Sequence, residues 1–440
     1  MKTTDFNKKE IDSKELADIK TISNVSLSEL AVRNESNLLI FPDSFTEYDE
    51  NFGKKTICHI LDDKFLVTNS IVGFVGKGKS HLSIHSRFSN GIKDYFLHYM
   101  IGKLAGINLL NLNHTTDEED IFNFLIYLFP QFLKRALKQG IYKQYINKDY
   151  NDTCVRGPIN ISRHIHTNLP FNGKIAYSKR EYNYDNNITQ LIRHTIEFIR
   201  KIPIGNEILN FDYEIKQNVN QIMTVTPKYV SRDLNSVINR NLRPVNHPYY
   251  SEYTTLQKLC LQILRYEELK YGNNNNEIYG LLIDAAWLWE EYLGIILYPH
   301  FYHYRKNKGT RLNLFENNFQ QIIPDYLSMD KRIVADAKYI PLDKEHEYGE
   351  EKATAVYYKT ITYMYRFCSD IGFLLYPKSN NNFNPIIYNI KTEKDGINGG
   401  KIIKLGLQIP DVSKCNCFAE FAELMGQNEK DFISKYEHIN

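Results

Sequence analysis

The 440-residue chain has few of the features that would assign it to a specialised class. Six cysteines are too few to staple a protein of this size. Cys415 and Cys417 stand one residue apart, and no second pair follows at zinc-ligand spacing. Tryptophan occurs twice. No apolar run reaches about 18 residues, which excludes an obvious membrane-spanning helix. Residues 1–20 are charged throughout and have no apolar core, so no secretory signal is expected and a reducing cytoplasm is the expected setting. An excess of one charge is also missing. Lys plus Arg total 54 against 52 Asp plus Glu, a net charge of +2. Charge alone therefore gives no reason to expect a nucleic-acid binder; basic surface, if used, has to be local or supplied by a partner.

What is present is ordinary globular chain, 42% hydrophobic and 24% charged. At roughly 150 residues per domain it has room for two or three domains. The 32 tyrosines and the abundant Asn, Lys and Ile resemble an AT-rich coding bias, and Asn273 to Asn276 read as a loop under it. The first half mixes strand patterns at 38–41, 64–69, 71–75 and 81–85 with helical spacing at 92–110, 118–140 and 188–201. Residues 154–178 read as short extended pieces. The second half predicts a helix over 255–271 and a long buried helix over 278–298, apolar nearly all round. Strands at 321–327 and 332–340 follow, then a helix at 354–368, strands at 372–376, 385–390 and 401–408, and a helical tail. The expected fold is mixed α+β, with a boundary between about 205 and 253; residues 1–250 and 251–440 are expected to form separate parts.

Residues 73–80 read G-F-V-G-K-G-K-S and match the phosphate-loop expression letter for letter. A phosphate loop needs a helix starting at its Lys-Ser end, because the free amides of that helix hold the phosphates. Here the period-2 pattern H-L-S-I-H-S follows, so a hairpin with the basic residues Lys77 and Lys79 at its tip is expected instead. His300 and His303 are spaced like a metal pair on a helix but have no third ligand nearby. His164 and His166 read as surface residues, and Trp287 and Trp289 as core.

Residues 324–338, P-D-Y-L-S-M-D-K-R-I-V-A-D-A-K, carry the chemistry. Asp336 and Lys338 are two apart on a predicted strand and face the same way. A tight turn near 329–331 would fold the strand after Asp325 back against it. Two carboxylates on one edge suit Mg²⁺, a hard cation that prefers oxygen and keeps several waters. Ionisable groups ending an otherwise apolar strand need a reason. The bland alternative is an ordinary surface ion pair. Glu290 shares a helical side with Ala286, Leu293 and Leu297, so it is the inward candidate of the preceding helix.

Six motifs, taken in order, resemble the McrC family, the nuclease subunits of modification-dependent McrBC and LlaJI-type restriction systems. V-R-G-P-I-N (155–160) with Arg163 is similar to V-R-G-R-I-D-x-x-R, and 182–192 to D-T-P-E-N-R-L-L-K. W-L-W-E-E-Y-L (287–293) resembles L-F-E-x-Y-V, and I-P-D with A-D-A-K resembles a PD-(D/E)xK core. Y-K-T-I-T-Y (358–363) stands where the family has Y-Q-M-L-A-Y, and L-L-Y-P (374–377) resembles the following strand. Lys359, Pro158 and Asn160 replace a family Gln, Arg and Asp. The resemblance implies a PD-(D/E)xK nuclease domain over 251–440 with a mixed central sheet flanked by helices. It implies catalytic Asp325, Asp336 and Lys338, Mg²⁺ on Asp325 and Asp336, and Glu290 as accessory acid. It further implies that residues 1–250 engage and stimulate a McrB-like hexameric AAA+ GTPase, with Lys77, Lys79, Arg156, Gly157 and Arg163 as candidate contacts. That partner would read modified double-stranded DNA. A catalytically silent activator of the same motor is the alternative, and the intact trio argues against it.

Overall fold

The structure is a computed structural model, and it describes residues 1–11, 19–20, 22–33, 38–42, 52–62, 64–77, 80–91, 93–105, 118–202, 205–210, 212–271, 278–303, 312–317, 319–340, 342, 350–379, 385–391 and 399–439. The Asn273 to Asn276 run and Lys79 lie outside them. The chain forms two compact units. One gathers Met1–Asn34, Leu38–Ile121 and Asn275–Asn440; the other is built on Phe122–Asn274. The compact units thus follow a different division from 1–250 and 251–440. Among the described residues no helix is long and apolar enough to cross a membrane.

The reason for the discontinuous first unit is a strand. Residues 278–298, expected as one helix, split into the strand Ile278–Asp284 and the helix Ala285–Ile296. The strand lies inside a five-stranded sheet, antiparallel to Ile71–Lys77 and parallel to Leu38–Phe41. A strand covered on both faces reads as a continuous apolar run, and periodicity cannot separate it from a buried helix. Asp284 ends it by capping the helix, its carboxylate accepting from the Ala286 amide at 3.0 Å. Ser70 Oγ and Lys55 Nζ also donate to it, at 3.0 and 2.8 Å. In the same sheet Ile71–Lys77 pairs with Ser80–His85, with Lys77 opposite Ser80. Ser80 therefore opens a strand rather than a helix, as the hairpin reading requires.

The second sheet of this unit is six-stranded, in the order Phe301–His303, Tyr326–Ser328, Ile333–Ala337, Ile371–Lys378, Lys401–Gln408, Ile386–Asn389. Its three central strands are parallel, and the flanking pairs are antiparallel. Leu327, Val334, Leu374 and Ile402 form one buried face with Tyr363 and Met364 of the helix Glu350–Phe367. The opposite face meets the helix Ala285–Ile296, where Trp289 Nε1 donates to the Leu375 carbonyl at 3.2 Å. Trp289 is fully buried and Trp287 half-buried.

The second unit holds a long antiparallel hairpin, Gln144–Asp152 with Ile175–Asn183, beside a helical bundle. The helix Asn187–Arg200 opens on an Asn186 capping box and buries Leu191, Ile192, Ile196 and Ile199. Between the hairpin strands, residues 161–168 form a helix rather than the expected extended stretch. Asn160 caps it, accepting from the Arg163 amide at 3.1 Å, and His164 Nδ1 lies 2.9 Å from Asn168 Nδ2.

Candidate nuclease centre

Asp325 and Asp336 meet because the turn at 329–331 folds Tyr326–Ser328 back on Ile333–Ala337, with Tyr326 opposite Ala335 and Leu327 opposite Val334. Lys331, at φ 62°, makes the reversal. Ser328 Oγ accepts from the Ile333 amide at 3.0 Å and donates to Asp330 at 2.6 Å. Across the hairpin mouth Asp325 Oδ2 accepts from the Ala337 amide at 2.8 Å, which locks one carboxylate onto the strand carrying the other. The Asp325 carboxyl adjoins that of Asp336. Both side chains are almost fully buried.

Two lysines stand against Asp336. Lys338 Nζ pairs with Oδ2, and Lys359 Nζ, from the helix Glu350–Phe367, lies 3.6 Å from Oδ1. Burial alone would push the Asp336 carboxyl up; the charges of Lys338 and Lys359 outweigh it and hold the group at about 2. The Asp336 charge in turn holds the Lys359 ammonium well above the usual lysine range, against the effect of burial. Burial raises Tyr363 to about 12, and its hydroxyl donates to the Ile323 carbonyl at 3.0 Å. Lys359 Nζ sits 5.4 Å from the Tyr363 ring centre. On the same sheet face, in register with Asp336 through Leu374, the buried Lys404 lies against the rings of Tyr357 and Tyr388.

The strand carrying the site is tied down from behind. The Lys338 amide donates to the Leu375 carbonyl at 2.8 Å. Next to it the Tyr339 carbonyl accepts from Arg87 Nη2 at 2.9 Å, and Arg87 also pairs with the buried Asp5 at 3.1 Å. Burial raises Asp5 to about 6 even with Arg87 beside it.

Glu290 does not join this group. Tyr326 and Ala335 point to the face covered by Ala285–Ile296, since the Tyr326 hydroxyl donates to the Glu290 carbonyl. Asp336 is next to Ala335 and points to the other face. Glu290 is inward as expected, but its Oε1 lies 3.4 Å from His303 Nε2, with Glu291 Oε1 at 3.8 Å. His303 itself is on a strand, not a helix. Among the described residues no three His, Cys, Asp or Glu groups are placed to hold a metal together. The donor set on offer is therefore Asp325 with Asp336. Two adjacent, buried, hard-oxygen carboxylates with ammonium groups beside them fit Mg²⁺, which takes one or two carboxylates and completes its shell with water. Lys359 is the member that sequence reading passed over. It stood out only as a departure from the family's Gln, and the helical turn that aims it at Asp336 is not a local signal.

The candidate partner residues fall in two places. Lys77 ends its strand at the hairpin turn of the first unit. Arg156, Gly157 and Arg163 lie between the strands of the long hairpin of the second. There Ser178 donates to the Pro158 carbonyl and Asn160 to that of Ala176, each at 2.9 Å, so residues 157–160 run along the hairpin edge. A Cβ on Gly157 would come 2.2 Å from the Ser178 carbonyl oxygen, so this glycine is required for the close approach. Arg163 Nη1 reaches Asp149 Oδ1 at 3.4 Å, and Arg156 is drawn to Cys154, Tyr177 and Asp152.

Comparison with known proteins assigns the chain to a family. No curated protein matches it. Two solved structures from Thermococcus gammatolerans are similar. One is a half-complex of McrB AAA+ hexamers with bound McrC, at 14% identity and a TM-score of 0.47, covering 97% of this chain and 99% of that one. The other is a McrBC complex, at 15% identity and a TM-score of 0.33, covering 68% and 87%. The model of the McrBC 5-methylcytosine restriction system component family matches residues 66–377, a span that includes the Asp325–Asp336 hairpin and most of both units, and the chain belongs to that family.

Proposed function

We propose that the chain is the McrC-type nuclease subunit of a restriction complex: a Mg²⁺-dependent DNA endonuclease of the PD-(D/E)xK class that works with a McrB-like AAA+ GTPase on modified DNA. The observation that carries the reading is the buried pair Asp325 and Asp336, with Lys338 on Asp336 and the Ala337 amide on Asp325. Asp325 and Asp336 would hold the metal. When bound, Mg²⁺ supplies charge neutralisation at the phosphate and a more acidic water. Lys338 Nζ, paired with Asp336, would orient the attacking water and stabilise the developing phosphate charge. Asp336 stays ionised down to acid pH, so this carboxylate is ready to bind a cation across the physiological range. Lys359 stays charged and screens the two carboxylates from one another.

The partner contact is proposed to lie within residues 1–250, and on the long hairpin in particular. Ile161, Ile165, Leu169 and Phe171 cluster in sequence between its strands and are all about half exposed or more, Ile161 to 70%. Apolar side chains collected on an exposed helix and the segment after it are a common mark of a protein-binding surface. Family membership supports a restriction partner, and a nearly neutral subunit suits a complex in which another chain reads the DNA.

The test scores two activities separately, in the presence of the GTPase partner and methylated DNA. Asp336→Ala is expected to abolish cleavage while GTPase stimulation persists; Phe171→Glu is expected to lose both. Wild-type cleavage by Asp336→Ala would rule out the site. Unchanged stimulation by Phe171→Glu would rule out the hairpin as the contact.

A further inference from the structure

Beside the base of the long hairpin the second unit has an open cleft of about 720 Å³, inside the range of about 300–1,000 Å³ usual for ligand sites. The cleft does not belong to the carboxylate site, which lies in the other unit. Its lining is aromatic and basic: Tyr145, Tyr182, Tyr184, Tyr249, His247 and Lys143 take part, and no carboxylate does among the described residues. Tyr145 and Tyr182, opposite each other in the hairpin register, stack at 4.2 Å between ring centres. Arg180 covers the outer face of one ring and Lys143 that of the other, each cation 4.3 Å from the ring centre. Neither cation pairs with a carboxylate among the described residues. The result is a layered stack, cation–ring–ring–cation, carried on two rigidly paired strands.

The floor of the cleft is also rigid. Tyr250 packs against Tyr142 and Tyr253 at 5.0 and 5.6 Å, and the Tyr253 hydroxyl donates to the Gly140 carbonyl at 2.8 Å. Above the floor Tyr249 is 64% exposed and Tyr184 42%, although both are large apolar rings. Exposed ring faces, cations without acidic partners and the absence of any carboxylate favour a ligand that is flat, apolar on its faces and negatively charged. A cationic ligand would need acids that the cleft lacks. A duplex would keep its bases stacked on each other, out of reach of the rings.

We infer that this cleft binds single-stranded DNA, with an unpaired base against Tyr249 or Tyr184 and backbone phosphate on Lys143 and Arg180. The inference does not depend on the metal reading, because binding is measured without metal and without cleavage. The probe is a fluorescein-labelled dT oligonucleotide of about twelve residues, titrated with the full chain in EDTA and followed by anisotropy. Lys143→Glu and Arg180→Glu should each weaken binding by roughly tenfold and flatten its salt dependence. Tyr249→Ala should weaken it roughly fivefold or more while leaving the salt dependence unchanged. Arg180 and Tyr249 are exposed and Lys143 is half-buried, and unchanged circular dichroism will show that the fold is kept. The inference is overturned if the oligonucleotide fails to bind or binds all variants like the wild type. It is equally overturned if duplex or free thymidine monophosphate binds as tightly as the single strand, or if poly-glutamate displaces the oligonucleotide as well as unlabelled dT does.

Discussion

Asp336 owes its charge to two neighbours, and only one of them was visible in the sequence. Lys338 follows from D-x-K on a strand, because alternate residues share a face. Lys359 comes from a helix more than twenty positions on, and no local pattern aims it. The pair was legible because a five-residue strand ending in charge is anomalous; the third member was not, because its approach is tertiary. Restoring the family residue tests its weight. Asp336 sits at about 2 in the fold against 3.8 for a free carboxyl, so it stabilises the protein above about pH 4 and that contribution is lost as pH falls towards 2. Lys359→Gln removes one of the charges that lower it, so its folded pKa rises and less stability is gained. The acid-unfolding midpoint, followed by tryptophan fluorescence, is expected to move to higher pH. An unchanged or lower midpoint would mean that Lys338 alone sets the state of Asp336.

The elements show where pattern reading succeeds and where competing physics overtakes it. The helix Asn187–Arg200 has apolar periodicity matched to its exposure and was legible; the hairpin at 324–338, buried on both strands, was legible from its polar turn and charged ends. The strand Ile278–Asp284 was not, since burial on both faces removes the alternation that marks a strand. The long hairpin of the second unit failed for the opposite reason. Q-Y-I-N-K-D-Y-N-D is exposed along most of its length, so there is no buried face to impose a period. Gly280 has a backbone conformation that fits the strand and not a helix. Its φ is 155°, and a Cβ there would lie 2.2 Å from the Phe74 carbonyl oxygen. In a helix Gly280→Ala would stabilise slightly. In this sheet it should destabilise by about 1–3 kcal/mol, as overpacking does. A chemical-denaturation midpoint decides between the two.

At the scale of the molecule, the chain leaves its first unit near residue 121 and returns near 275, which no composition shift announces. The consequence is direct. A fragment ending at residue 250 lacks Ile278–Asp284, the strand between Ile71–Lys77 and Leu38–Phe41. It is expected to leave that sheet open, with exchange unprotected at those amides of 71–77 that face the missing strand; native-like protection there in the fragment would show that the sheet forms without its inner strand. Partner contacts are therefore to be mapped on the full chain. The central claim is that Asp325 and Asp336 act as one metal-dependent cleavage site, and isosteric substitution tests it most directly. Asp325→Asn and Asp336→Asn keep shape and remove charge, so thermal stability is a control read beside cleavage of methylated DNA with the GTPase partner and Mg²⁺ present. Each variant is predicted to cut at least roughly a hundredfold more slowly, the cost of several kcal/mol at the transition state, while still stimulating GTP turnover. Folded variants that cut like the wild type would contradict the account.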